Sequence, residues 1–319
     1  MNKRNIRFIC VVLYETINLF ICYKPMRTFF GAREILMIRP HFFGFNQETA
    51  GSNSFQNNTG SKDIQRLALL ESERLMQALS DAGVVLHAFD NPLVSCPDAV
   101  FPNNWFSTHP DGTWIKYPMA AANRRPERRE EICAWLSKRY AKHIDYSESE
   151  HEGVFLEGTG SLVIDHTTRR VYASLSGRTD KALLMRWADA MNMQAFAFNT
   201  CYNGLPVYHT NVVMAILAGG ISILCTKVIV DDSPAKLLVE RGPLIEVGVE
   251  AMLKLAANCI ALSSAAGDPV LLIGSGAWQA LSARDRRLLE SAHLVILAAI
   301  PTIEQIGGGG VRCMVAELF

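Results

Sequence analysis

Apolar residues fall into short continuous runs, separated by longer stretches in which they recur at helical spacing. The first clear run is Ile35-Leu36-Met37-Ile38, closed by Arg39-Pro40. A short apolar run that stops at a proline reads as a buried strand. From Phe42 to Gly60 the pattern lapses into Asn, Gly and Ser, with Phe42, Phe43, Phe45 and Phe55 set among them. This predicts a long loop of the kind used as a lid or binding loop. Residues 61–82 carry Leu67, Leu69, Leu70, Leu75, Met76 and Leu79 ahead of Gly83, the pattern of an amphipathic helix ended by glycine. A strand follows at 84–89.

Downstream the same reading gives strands at 99–101 and 113–117, a helix at 126–142, strands at 161–165 and 171–175, a helix at 179–192 and a strand at 194–198. Strands at 207–209, 212–216 and 222–225 come next. A helix over 233–255 is open to a break at Gly242-Pro243. Strands at 259–262 and 270–273, a helix at 282–292 and strands at 293–297 and 311–317 complete the chain. These elements make roughly five rounds of strand–strand–helix–strand, each on the order of 50–60 residues, a period that suggests radial or solenoid assembly. Periodicity alone supports an α/β chain of repeated units. It leaves a doubly wound sheet or two domains open.

Composition narrows this. A chain of 319 residues, 49% hydrophobic, can bury a sizeable core. Lys+Arg and Asp+Glu both number 31, so neither a nucleic-acid-binding excess nor a charged tail is expected. The eight cysteines are scattered without a CxxC or zinc-like spacing. They read as reduced thiols of a cytoplasmic protein, with no metal site. At the start, Lys3, Arg4 and Arg7 precede an apolar run at 8–13 that Glu15 and Asn18 interrupt. No small-x-small cleavage site follows, and the run is too short to span a membrane. Residues 1–33 are therefore expected to be an extension outside the core, with a single domain over 34–319.

Three stretches carry candidate chemistry. Gly307-Gly308-Gly309-Gly310 leads through Val311-Arg312 to Cys313; Phe155-Leu156-Glu157-Gly158-Thr159-Gly160 offers an acid; Tyr208-His209-Thr210-Asn211 offers an imidazole. A thiolate, a proton-moving histidine and an orienting acid are what nucleophilic catalysis by cysteine requires. By residue type alone the alternatives stay open. Cys313 could be an inert buried thiol, and His41, His87, His109, His143, His151, His166 and His293 compete with His209. No G-x-S-x-G occurs, and Gly158-Thr159-Gly160 lacks the third glycine of a dinucleotide fingerprint, so no cofactor is expected.

Taken together and in this order, the three stretches resemble the signatures of the guanidine-modifying, or pentein, superfamily, which includes arginine deiminases, dimethylarginine dimethylaminohydrolases and amidinotransferases. Residues 34–319 further resemble its citrulline-utilisation hydrolase branch through Arg39-Pro40, Phe101-Pro102-Asn103-Asn104-Trp105, Tyr117-Pro118-Met119, the segment from Asn123 to Arg129 and Arg312-Cys313-Met314. The resemblance implies a five-bladed α/β propeller with the site on its axis. It implies a cysteine hydrolase in which Cys313 attacks a guanidino or ureido carbon, His209 moves the protons, and Glu157 holds the polar network and favours a protonated His209 that lowers the thiol pKa. The partner implied is a small amino-acid substrate, with no nucleic acid or membrane; a homo-oligomer is left open.

One departure sharpens the substrate. Where arginine deiminases grip the guanidinium with two aspartates, this chain has Asn104 and Asn211. An amide both donates and accepts, which suits a neutral ureido group better than a cation, and Asn104 also resembles the superfamily's dihydrolases. Citrulline, hydrolysed to ornithine, ammonia and carbon dioxide, is the favoured substrate; arginine or a methylated arginine is the runner-up. Arg39, Arg124, Arg125 and Arg178 are candidates for the substrate carboxylate, since Arg recognises carboxylates bidentately. Arg39 and Arg178 are preferred. Asp98 and Asn258 are further candidates for lining the site, which nothing in the sequence decides. The contrasting class is a non-catalytic binding protein of the same fold, which should show no hyper-reactive Cys313.

Overall fold

One unit recurs five times: two antiparallel strands, a helical segment, and a third strand parallel to the second. In this computed structural model, which describes residues 31–58, 63–230 and 233–319, the unit builds five three-stranded sheets. Nearly all of the expected extension lies outside the described residues, as do 59–62 at the expected start of the first helix. Ala32, assigned to that extension from sequence, is already buried, and its carbonyl accepts from the Ser263 amide.

β1 (Glu34–Arg39) runs parallel to β2 (Val85–Asp90) across α1 (Ile64–Asp81). The next sheet is β3 (Phe106–Thr108), β4 (Thr113–Lys116), α2 (Glu130–Arg139) and β5 (Lys142–Asp145). It is followed by β6 (Val163–Asp165), β7 (Arg170–Leu175), α3 (Lys181–Ala190) and β8 (Gln194–Asn199). β9 (Met214–Ile216), β10 (Ser222–Leu224), α4 (Ser233–Arg241) and β11 (Leu244–Glu246) repeat the pattern. So do β12 (Ile260–Ser263), β13 (Pro269–Gly274), α5 (Ala283–Glu290) and β14 (Leu294–Ala298). The first sheet is completed from far downstream: β15 (Ala316–Leu318) pairs antiparallel with β1, Leu36 opposite Ala316.

Burial explains these choices. The four central residues of β1 are buried because both faces are covered. On one side Ile35 and Met37 join Ala68, Leu75 and Leu79 of α1; on the other Leu36 and Ile38 join Trp105, Trp114 and Leu318. α3 and α5 start where Asp180 and Ser282 accept backbone amides of Leu183 and Asp285, ordinary N-cap chemistry.

The differences from the sequence reading have local causes. Residues 99–101 are not a strand: Pro102 has no amide to donate, and Pro102–Asn104 forms a 3₁₀ turn before β3. The helix expected over 126–142 is shorter, because Pro126 sits in a 3₁₀ segment, Ala122–Glu127, and Tyr140 turns extended to lead into β5. The helix expected over 233–255 stops at Arg241, where Gly242-Pro243 breaks it and β11 follows. Residues 207–209 form no strand, and 311–317 divides into a helical turn, Val311–Met314, and β15. Among its described residues, the expected loop at 42–60 contains one short helix, Gln47–Ala50.

A single turn precedes the first strand of several repeats: Pro102–Asn104 before β3, Gly158–Ser161 before β6, Thr210–Val213 before β9 and Val311–Met314 before β15. Pro102–Asn104 packs on both Gly158–Ser161 and Val311–Met314, and Gly158–Ser161 packs on Thr210–Val213. Every stretch singled out for its chemistry reaches this cluster. Among the described residues no helix is long and apolar enough to cross a membrane.

Because β15 closes the first sheet, Leu318 matters out of proportion to its position. It is 2% exposed and packs with Leu36, Trp105 and Trp114. Leu318→Ala is expected to lower unfolding stability by about 2–5 kcal/mol in urea titration. Leu297→Ala, at a residue 48% exposed, should stay within about 0.5 kcal/mol.

Candidate active site

The Gly-rich stretch is a turn forced by close packing. Helix Pro301–Gly307 ends at Gly308, which takes φ +64. A side chain there would meet Asn53 and the Gln56 backbone in the 42–58 loop, so only glycine fits. Val311–Met314 then makes one helical turn and delivers Cys313, 4% exposed, with its amide donating to the Gly310 carbonyl. Gly158, at φ +45, lies directly on the backbone carbonyls of Asn103 and Asn104. This contact brings the second and third repeats together beneath Glu157.

Glu157 has no exposed surface. Its Oε1 accepts from the Ala120 amide at 3.0 Å. Its Oε2 accepts from His209 Nε2 at 2.7 Å and from Arg178 Nη1 at 3.4 Å. Burial alone would raise its pKa, but Arg178, His209 and Arg124 pull it well below the usual carboxylate range. A carboxylate can only accept, so Nε2 of His209 carries a proton and Nδ1 is the nitrogen open to a reacting group.

His209 and Cys313 border one small cavity with Asp98, Asn104, Arg124 and Arg178. Water-sized spheres fit in it over only about 10 Å³, room for about one water molecule. The 42–58 loop closes the space: Arg178 Nη2 donates to Ser52 Oγ at 2.6 Å and Asn53 Nδ2 to the Gly307 carbonyl at 3.2 Å. Arg178 also lies 4.9 Å from the centre of the Tyr208 ring, a cation–π contact.

Burial works against the expected protonated histidine beside a lowered thiol. Burial brings His209 down to about 4, with Glu157 opposing the shift. Burial also raises the Cys313 thiol, against hydrogen bonds from Asn258 and Asn211 and the charge of Arg312. A neutral imidazole and a neutral thiol are what such desolvation produces.

The two asparagines take different roles. Arg124 is held bidentately by Glu127 at 2.8 and 2.9 Å, and its Nη1 donates to Asn104 Oδ1 at 2.7 Å. That contact fixes the amide, leaving Asn104 Nδ2 buried and without a partner beside Gly160 and His209. Asn211 is already engaged: Nδ2 donates to the Thr159 carbonyl at 3.1 Å and lies 3.8 Å from Cys313 Sγ. Asp98 faces the cavity with Oδ2 held by Asn46 at 2.7 Å and Oδ1 unpartnered.

Of the arginines, Arg124 and Arg178 reach the cavity. Arg39 does not: it is half exposed and pairs with Asp90 at 3.2 Å. Arg125 pairs with Glu150 at 3.5 Å and does not line the cavity either. Sequence reasoning missed the loop residues Ser52 and Asn53 and the Arg124 partner Glu127, whose i, i+3 spacing on a turn was the available signal. Among the described residues no group of three or more His, Cys, Asp or Glu could hold a metal ion.

The sequence model of the family described as N,N dimethylarginine dimethylhydrolase, eukaryotic, matches residues 39–319. No curated protein sequence matches the chain. Among solved structures, it is similar to ArgZ, an arginine dihydrolase from the ornithine–ammonia cycle in Cyanobacteria, at 16% identity and TM-score 0.71, covering 89% of this chain and 40% of that one. The N-terminal domain of ArgZ bound to product is 17% identical at TM-score 0.71, covering 90% of this chain and 97% of that one. DDAH from Pseudomonas aeruginosa, a Cys-to-Ser variant complexed with citrulline, is 17% identical at TM-score 0.67, covering 91% and 100%. At these identities the likeness to solved structures is one of fold.

The raised thiol predicts how the substrate-free protein reacts. Alkylation of Cys313 by iodoacetamide, followed on its peptide by mass spectrometry, should keep rising with pH from 7 to 9. A plateau near neutral pH would show a resting thiolate instead.

Proposed function

The chain belongs to the eukaryotic N,N-dimethylarginine dimethylhydrolase family of hydrolases, and on that premise we propose that it hydrolyses the ureido group of citrulline through a covalent adduct on Cys313. The observation that carries the choice of substrate is the orientation of Asn104. Arg124 occupies its oxygen, so the group left over in the site is an N–H donor. A donor matches the carbonyl oxygen of a ureido group and opposes a guanidinium, which has only donors.

The remaining geometry supports the following reaction. With substrate bound, Nδ1 of neutral His209 takes the thiol proton and Cys313 adds to the ureido carbon. Ammonia leaves with the proton from His209, and a thiocarbamate remains on the sulfur. Water, deprotonated at the same nitrogen, adds to it and expels the thiolate. The resulting N-carbamate loses carbon dioxide, giving ornithine. Glu157 holds the imidazole through Nε2 and stabilises it when protonated. Asp98 Oδ1, buried and unpartnered, suits the substrate ammonium, and Arg178 the carboxylate once the Ser52 hydroxyl moves aside.

The five sheets are taken as blades of an α/β propeller; the packing of β15 on β3, β6 on β9 and β9 on β12 supports that reading. Residues 34–319 form the catalytic domain. A second reading, hydrolysis of arginine or a methylated arginine, is favoured by the family description and by the arginine dihydrolase among the similar structures.

The substrate test is amine release: ammonia from citrulline and arginine, and the methylated amine from dimethylarginine. Wild type should prefer citrulline, and Cys313→Ser should fall to background. Asn104→Asp with Asn211→Asp should weaken citrulline turnover and improve binding of the cationic substrates by about one to two decades. A large wild-type preference for arginine, or an unchanged ranking in the double variant, would favour the second reading. A protein beginning at Met26 should remain soluble with an unchanged rate; loss of either would place part of residues 1–25 in the working enzyme.

A further inference from the structure

Four repeats deliver a site residue from the turn before their first strand: Asn104 before β3, Glu157 before β6, His209 and Asn211 before β9, and Cys313 before β15. The repeat that starts at β12 has its own preceding turn, and the residue it presents is Asn258, 1% exposed. Its amide lies against the sulfur. Nδ2 is 3.3 Å and Oδ1 3.5 Å from Cys313 Sγ. The same Nδ2 donates to the Asn211 carbonyl at 3.1 Å and to Asn211 Oδ1 at 3.2 Å.

Two backbone features hold Asn258 there. Leu255 adopts φ +61, a conformation unfavourable for a bulky side chain, and its carbonyl accepts the Asn258 amide at 2.9 Å. On the other side Gly310 approaches so closely that a Cβ would stand 2.8 Å from Asn258 Oδ1. Such an approach requires glycine at 310.

We infer that Asn258 is a positioning residue that holds the Cys313 sulfur in both of its protonation states. As a thiol, Cys313 donates its S–H to Oδ1. As a thiolate it can only accept, and it takes the N–H of Nδ2. The amide offers both partners without moving, and its link to Asn211 fixes the sulfur relative to the His209 turn. The inference rests on the reading of Cys313 as the nucleophile. The charged and titratable groups around the sulfur are Arg312 on its own turn, Tyr208 and His209 from the turn before β9, and Asp98, Arg124 and Arg178 around the cavity.

Asn258→Asp keeps the shape and the acceptor but removes the donor and adds a negative charge; Asn258→Ala removes both partners. Cys313 alkylation by iodoacetamide is measured without substrate against pH, beside kcat/KM against pH. In Asn258→Asp, alkylation at pH 8 should fall at least about tenfold, the change that a one-unit rise of the thiol produces. Asn258→Ala should fall less, in the same direction. In both, kcat/KM should fall at pH 7 and recover as pH is raised, with KM changed less than about threefold. Unchanged alkylation profiles in both variants overturn the inference. So does a loss of kcat/KM by the same factor at every pH, the mark of a merely structural residue. If Asn258→Asp does not fold, Asn258→Ala decides alone. Turnover by Cys313→Ser would refute the nucleophile, whereas the alkylation profiles test the hold on the sulfur independently of turnover.

Discussion

A carboxylate with no exposed surface is the constraint from which the rest of the site follows. Burying an unpaired charge costs several kcal/mol or more, so Glu157 must be surrounded by donors and cations. It receives the Ala120 amide, the His209 Nε2 proton and the Arg178 guanidinium. Those partners come from three repeats, so one ionised group ties several sheets into a single arrangement. Replacing Glu157 would leave Arg178 and His209 without their anion and Ala120 without an acceptor. The same network fixes the imidazole tautomer, and with it which nitrogen faces the chemistry.

Desolvation also sets the resting state. Burial this complete favours neutral partners, holding the His209 imidazole down and the Cys313 thiol up. Asn104 follows the same logic. Arg124 is committed to Glu127 and to the Asn104 oxygen, so the cation serves to orient an amide. The donor that Asn104 presents is therefore set by a cation that borders the same cavity.

Much of this was legible in the sequence, but unevenly. Apolar runs revealed strands such as β1, β7 and β13, and helical spacing revealed α1 and α3, because burial periodicity is a local property. Cys313, His209 and Glu157 stood out because their neighbours are glycines or strand ends. The short strands β3, β5 and β11 were hidden: each is three or four residues long and borders a turn or helix whose signal dominates the window. Arg39 and Arg178 looked alike in sequence. Only the packing that pairs Arg39 with Asp90 and lays Arg178 beside Glu157 and Tyr208 separates them. Asn258 had no motif of its own and was only a candidate to line the site; the turn before β12 sets it against the Cys313 sulfur.

The strand that completes the first sheet has a consequence for how the molecule assembles. Glu34 and Leu318 are neighbours across a ladder although about 280 residues of chain separate them, a contact whose entropic cost grows only slowly with length but must be met before it stabilises anything. Folds dominated by such distant pairings reach the native state slowly. Here the turn carrying Cys313 leads directly into that closing strand. The thiol and the closing strand thus belong to one segment, so the pairing of β15 with β1 and the placing of Cys313 against Asn258 depend on the same stretch of chain.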